Sequence, residues 1–119
     1  MADMEERVEL NYLLDFYGPL LTEHRQEVMR LYCEEDLSQQ EIADQLRITR
    51  QGVFDALNKS KRQLTAYEDK LGLVRRHLAQ AALAAQCLEA LEGIAPDGAD
   101  APKLEKARQA LEAMLRDRA

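Results

Sequence analysis

Hydrophobic residues recur at helical spacing along most of the chain, and interruptions of that spacing divide it into helices. Four apolar residues at i, i+3, i+4 and i+7 predict a helix over residues 8–17: Leu10, Leu13, Leu14 and Tyr17. Gly18 and the proline after it end this helix. A second helix is expected from residue 23 to about 34, with Thr22 as its N-cap. The pattern thus predicts two short helices before residue 35.

Two further helix starts follow, eleven residues apart, and both carry capping signals. Ser38 and Glu41 have the spacing of a capping box, in which each side chain satisfies a backbone N–H of the other residue. Thr49 is expected to cap the next helix. Ala43 leaves room for two helices that cross closely after a short turn. Residues 37–57 therefore predict a helix-turn-helix.

A heptad-like 3-4-3-4 spacing then continues from Leu57 to Leu88. It predicts that the second helix of the motif runs on into a long helical extension, whose seam packs on a helix of the same chain or of a second copy. Gly72 interrupts this stretch, and a helical Gly costs roughly 1 kcal/mol relative to Ala. Because the register crosses Gly72 unbroken, one continuous or gently kinked helix is expected. The seam proposed for a homodimer consists of Leu64, Tyr67, Leu71, Val74 and Leu78.

These features divide the chain into four parts. Residues 1–62 are expected to form the helix-turn-helix bundle and residues 63–92 the long extension that mediates dimerisation. Residues 93–102 contain Pro-Asp-Gly and a second Pro, which indicate a linker, and residues 103–119 form a C-terminal amphipathic helix. Abundant Ala, Leu, Glu, Gln and Arg favour an all-α fold throughout.

The second helix of the motif carries polar side chains opposite its apolar stripe. Arg, Gln and Asn are residue types that hydrogen-bond base edges, and Lys, Arg and hydroxyl side chains suit phosphates. The candidates for base contact are Arg50, Gln51 and Asn58. The candidates for phosphate contact are Thr49, Lys59, Lys61 and Arg62. If the protein binds DNA, this helix is the part expected to enter the major groove.

The net charge of −6 is unevenly distributed. Residues 1–35 hold nine acids against three bases, whereas residues 46–65 hold five bases against one acid. The overall charge argues against a protein that coats nucleic acid nonspecifically. Attraction for phosphate is therefore expected to be local to the second helix of the motif, and weak and salt-sensitive.

Other kinds of site find little support. Cys33 and Cys87 have no partner at ligand spacing, so neither a disulfide nor a zinc site is predicted, and His24 and His77 are isolated. The sequence holds no Walker loop, dinucleotide-binding turn or nucleophile elbow, and we expect no enzyme, metal or cofactor. Without a membrane-length apolar run or a signal peptide, the protein is expected to be cytoplasmic.

The runs Leu14 to Thr22, Ser38 to Leu46 and Thr49 to Asp55 resemble the YlxM-like family of small bacterial helix-turn-helix proteins. The resemblance covers about residues 8–80, and residues 23–61 also resemble the promoter-binding fourth region of sigma factors. It implies a sigma region-four-like fold and a regulatory role in the signal recognition particle pathway. The implied target is DNA or, alternatively, the signal recognition particle protein or its RNA.

Two departures from these patterns bear on the structure and the target. Arg47 stands where related motifs often have Gly, so the turn must use a positive φ at Arg47 or another geometry. Phe54 and Asp55 stand where sigma-type recognition helices tend to have Arg and Gln. A phenyl ring and a carboxylate fit a protein partner about as well as a base pair.

Overall fold

The computed structural model describes residues 4–95 and 97–116, and every regular element within those residues is helical. The helices are α1 (Met4–Tyr17), α2 (Glu23–Cys33), α3 (Gln39–Leu46), α4 (Arg50–Leu71), α5 (Leu73–Glu92) and α6 (Asp100–Arg116), with a 3-10 turn at Gly18–Leu20. The expected all-α fold is confirmed. The chain forms two compact units, Met1–Val74 and Arg75–Ala119, which are described separately.

The first unit contains one hydrophobic core, to which α1, α2, α3 and α4 all contribute. Helix α4 packs against each of the other three. The largest fully buried side chains of this core are Tyr17, Val28, Met29, Leu31, Ile42, Val53, Leu57 and Leu64. Val74 also belongs to the core, so the first unit continues beyond residue 62, where the bundle was expected to end. Contacts with three other helices thus hold α4 in place.

The prediction of one continuous or gently kinked helix through Gly72 is wrong. Helix α4 ends at Leu71, and α5 begins at Leu73. Gly72 itself has φ 63° and ψ 27°, in the left-handed region that Gly adopts without the steric cost other residues bear. The heptad spacing therefore continues in the sequence across a point where the helix stops.

Tyr17 and Glu68 explain why the chain can break there. The Tyr17 hydroxyl donates to Glu68 Oε1 at 2.7 Å and accepts from the Leu73 N–H at 3.1 Å. The same Glu68 oxygen accepts from the Val74 N–H at 3.0 Å. The first N–H groups of a helix have no partner within it, so these side chains satisfy two groups at the start of α5.

The proposed dimer seam also needs correction. Leu64 and Val74 are 0% and 7% exposed within the core of the first unit, and Tyr67 packs against that core. Leu64 and Val74 cannot line a contact between chains unless the unit unpacks, and part of the Tyr67 surface is already covered by the core. Leu71 and Leu78, by contrast, are 49% and 43% exposed. The first part of the heptad pattern therefore describes packing within one chain.

The second unit consists of α6 and of α5 from Arg75 onward. Helix α6 begins at Asp100, inside the segment that was expected to be a linker. Among the described residues of this unit, Ala84 is the buried hydrophobic residue, whereas the leucines are either partly buried (Leu88, Leu91, Leu104 and Leu111) or exposed (Leu78, Leu83 and Leu115). No helix in the described part of the chain is long and apolar enough to cross a membrane.

Candidate nucleic-acid interface

The turn between α3 and α4 is built on Arg47. Its backbone has φ 58° and ψ 45°, so the positive φ that the sequence allowed is what the chain adopts. The N–H groups of Arg47 and Ile48 both reach the Ala43 carbonyl, the latter at 3.1 Å. Ala43 is only 3% exposed, as expected for a small residue between crossing helices. The two helices form a helix-turn-helix.

Both caps predicted for the helix-turn-helix are present in the structure. The Glu41 N–H donates to Ser38 Oγ at 3.1 Å and the Ser38 N–H to Glu41 Oε1 at 3.0 Å, which completes the capping box. The Ser38 N–H, and then its hydroxyl, holds the pKa of the Glu41 carboxyl below its usual value. At the start of α4, the Gly52 N–H donates to Thr49 Oγ1 at 2.9 Å. Local sequence therefore determines where both helices of the motif begin.

The three candidates for base contact lie on the outward side of α4. Arg50, Gln51 and Asn58 are all exposed, while Val53 and Leu57 on the opposite side are buried. The Gln51 amide donates from Nε2 to Asp55 Oδ1 at 3.1 Å, so its orientation is coupled to that carboxylate. The structure presents these side chains to solvent on a firmly packed helix; that they contact bases stays a prediction.

The candidates for phosphate contact differ in their exposure and in their contacts within the chain. Lys59 and Arg62 are exposed, and Thr49 is exposed although its hydroxyl serves as a cap. The Lys61 ammonium instead lies 3.2 Å from Glu6 Oε1 and 5.2 Å from the centre of the Tyr32 ring. Its side chain is 28% exposed. Lys61 thus connects α4 to α1 and α2 and is poorly placed to meet a phosphate.

Arg7 is a residue whose role the sequence did not reveal. Its guanidinium donates to the Tyr32 carbonyl at 2.8 Å, pairs with Asp36 and lies 4.7 Å from the centre of the Tyr32 ring. Asp36 has φ 57°, in the loop that leads into α3. These contacts hold that loop, and with it the start of α3, against α1. Arg7 is far from Asp36 in sequence, so no local pattern could identify the pair.

A shallow concavity of about 400 Å³ opens where α3 and α4 begin, and Gln39, Arg50, Gln51 and Phe54 line it. Phe54 is 46% exposed there. The first N–H groups of α3 carry partial positive charge, and Arg50 adds a full charge beside them. This surface can accept an anionic or hydrogen-bonding group and offers an aromatic face next to it.

Two further observations concern the cysteine of the core and the possible metal ligands. Burial raises the pKa of the Cys33 thiol to about 11, so this cysteine stays protonated near neutral pH. In residues 4–95 and 97–116, no group of three or more His, Cys, Asp or Glu side chains is arranged to hold a metal ion.

A helix pair with a tight turn and an exposed polar face on its second helix defines a helix-turn-helix protein, and the comparisons with known proteins agree. Residues 4–95 match the model of the UPF0122 family, described as "Putative helix-turn-helix protein, YlxM / p13 like". The chain therefore belongs to this family, and the resemblance of its sequence to YlxM-like proteins is confirmed.

Similarity to curated members of the family extends over nearly the whole chain. A UPF0122 protein of Desulforamulus reducens is 40% identical over 116 residues, which are 97% of each chain. One of Symbiobacterium thermophilum is 41% identical over 111 residues, 93% of this chain and 96% of the relative. One of Acetivibrio thermocellus is 42% identical over 91 residues, 76% of this chain and 78% of the relative.

Proposed function

We propose that this protein is a cytoplasmic regulator that binds duplex DNA through the outward side of α4. The observation that carries the proposal is the exposure of Arg50, Gln51 and Asn58 on a helix whose other side is fixed in the core. A helix of this kind fits the major groove, which is about 12 Å wide. Membership of a helix-turn-helix family supports the same function.

Each exposed side chain has a role that follows from its position. Arg50 and Gln51 lie in the first turn of α4, and Asn58 lies two turns later on the outward side. Their donors and acceptors match those of purine edges in the major groove. Lys59, Arg62 and the exposed edge of Thr49 contact phosphates, which set the position of the helix on the duplex.

Fluorescence anisotropy with labelled fragments of genomic DNA, repeated across a salt series, tests this proposal. Lys59→Ala and Arg62→Ala should weaken binding to all fragments alike and reduce the slope of log affinity against log salt by about 1 each. Gln51→Ala should instead change the order in which fragments are bound, because a good base contact contributes about 1–3 kcal/mol of discrimination.

The matched control is Lys103→Ala on α6, which changes the net charge as Lys59→Ala does and is also exposed. It should leave affinity and salt slope close to those of the original protein. Equal effects of Lys59→Ala and Lys103→Ala would remove the assignment to α4. Absence of binding to any fragment at low salt would reject the function itself.

A second candidate, an adaptor in the signal recognition particle pathway, is favoured by Phe54 and Asp55. The Phe54 ring is half-exposed, and the neighbouring Asp55 carboxylate, which Gln51 contacts, would repel phosphates. The partner would be the signal recognition particle protein or its RNA. Duplex RNA has a major groove too narrow for a helix, so RNA would be bound by shape and charge. Titration of the protein with the purified particle protein and RNA separates this candidate from DNA binding.

A further inference from the structure

Phe54 lies midway between two of the candidates for base contact on α4. It follows Arg50 by four residues and precedes Asn58 by four, so each lies about 6 Å from it along the helix axis. Around the axis, at about 100° per residue, Arg50 and Asn58 lie roughly 40° to either side of Phe54. All three side chains are exposed. A surface that contacts both Arg50 and Asn58 therefore also covers the Phe54 ring.

The phenyl ring restricts what can cover it. Placed against a polar group of a base edge, the ring would exclude water from that group without replacing its hydrogen bond, which is costly. A phosphate oxygen would lose its water in the same way. The apolar group that the major groove presents is the 5-methyl group of thymine. Contact between the ring and this methyl group removes apolar surface of both from water, which is favourable.

We propose that Phe54 is a specificity-determining residue that contacts the 5-methyl group of a thymine in the major groove. The inference rests on the proposed binding of duplex DNA by α4. The ring helps to line the concavity of about 400 Å³ at the start of α4, so the methyl group has room beside it. The protein then requires thymine at one position of its target, between the base pairs that Arg50 and Asn58 contact.

The neighbouring carboxylate also favours base edges over the DNA backbone. Asp55 is exposed and accepts from Gln51 Nε2 at 3.1 Å. A carboxylate is repelled by phosphates, whereas on a base edge it can accept from the amino group of cytosine. The same ring and carboxylate favour the adaptor candidate. The two functions differ in whether the methyl group of thymine contributes to binding.

Replacement of thymine by uracil tests the contact, because it removes the methyl group and leaves base pairing unchanged. The genomic fragments bound in the anisotropy assay are amplified once with thymidine triphosphate and once with deoxyuridine triphosphate. The original protein should bind the uracil form about fourfold less tightly, as expected for the loss of one buried group the size of a CH₂. Uracil introduced at one thymine at a time should locate this loss at a single position.

Variants of Phe54 connect the loss to the ring. Phe54→Ala should bind the thymine and uracil forms equally, and low salt keeps its binding strong enough to measure. Phe54→Leu keeps an apolar side chain and should retain part of the preference for thymine. Lys59→Ala should weaken binding to both forms by the same factor, because a phosphate contact does not depend on the methyl group.

Leu83→Ala on α5 is the matched control, since it also shortens an exposed apolar side chain and should keep the original preference. Circular dichroism verifies that every variant keeps its helix content. Equal affinity of the original protein for the two forms, or a preference that Phe54→Ala retains, would overturn the inference and leave DNA binding intact. If Phe54→Ala lost binding to the signal recognition particle protein with DNA binding unchanged, the ring would belong to the adaptor candidate, and the inference would be wrong. Absence of binding to either form would reject the proposed function itself.

Discussion

Arg47 carries a steric cost that can be measured. A non-glycine residue in the left-handed region costs roughly 1–2 kcal/mol, and Arg47 lies there at φ 58°. Arg47→Gly should therefore raise the free energy of unfolding by about 0.5–1 kcal/mol, since the relief of strain exceeds the greater chain entropy that Gly adds to the unfolded state. Urea denaturation measures this difference in the free energy of unfolding, and the dependence of that free energy on urea concentration should be the same in both proteins.

Lys59→Gly is the matched control for this change. It removes a long basic side chain at an exposed position of α4, where the backbone is helical. It should lower the free energy of unfolding by about 1 kcal/mol, because Gly is unfavourable inside a helix. The two substitutions should thus change the free energy of unfolding in opposite directions. A loss of stability in Arg47→Gly would mean that the side chain contributes more than its backbone conformation costs.

At the scale of the elements, the break between α4 and α5 can be tested by substituting Gly72. The sign of the resulting change in the free energy of unfolding depends on whether the helix is broken or continuous there. Gly72 is buried and has a positive φ, so Gly72→Ala should lower the free energy of unfolding by about 1–2 kcal/mol. If the helix were continuous in solution, the same change would raise it by about 1 kcal/mol. Gly93→Ala is the control, since its added methyl would meet the Ala90 carbonyl oxygen at an ordinary 3.5 Å and stability should change little. Urea denaturation of the three proteins decides between the two cases.

How far the elements could be predicted depends on how local their causes are. Ser38 with Glu41, and Thr49 with Gly52, act over three residues, and the sequence was sufficient to place both helix starts of the motif. The end of α4 is different, because Tyr17 supplies a hydroxyl from the first helix. The heptad spacing contains no information about a contact with a distant residue. It therefore predicted a continuous helix.

The same distinction applies to the candidate site. Exposure of Arg50, Gln51 and Asn58 follows from their positions relative to the apolar stripe of α4, which the sequence displays. The partly buried position of Lys61 does not follow from the stripe, because its contacts Glu6 and Tyr32 come from two other helices. Three basic residues within four positions look equivalent until the fold brings an acid and an aromatic ring to one of them.

For the molecule as a whole, the two compact units differ in the amount of core they contain. In the described residues, the large fully buried side chains belong to the first unit, and the second buries Ala84. Amide hydrogen exchange followed by mass spectrometry should therefore find strong protection in α1, α2 and α4, and much weaker protection in α6 and in α5 after Arg75. Equal protection of α4 and of α5 after Arg75 would contradict the link between core size and local stability.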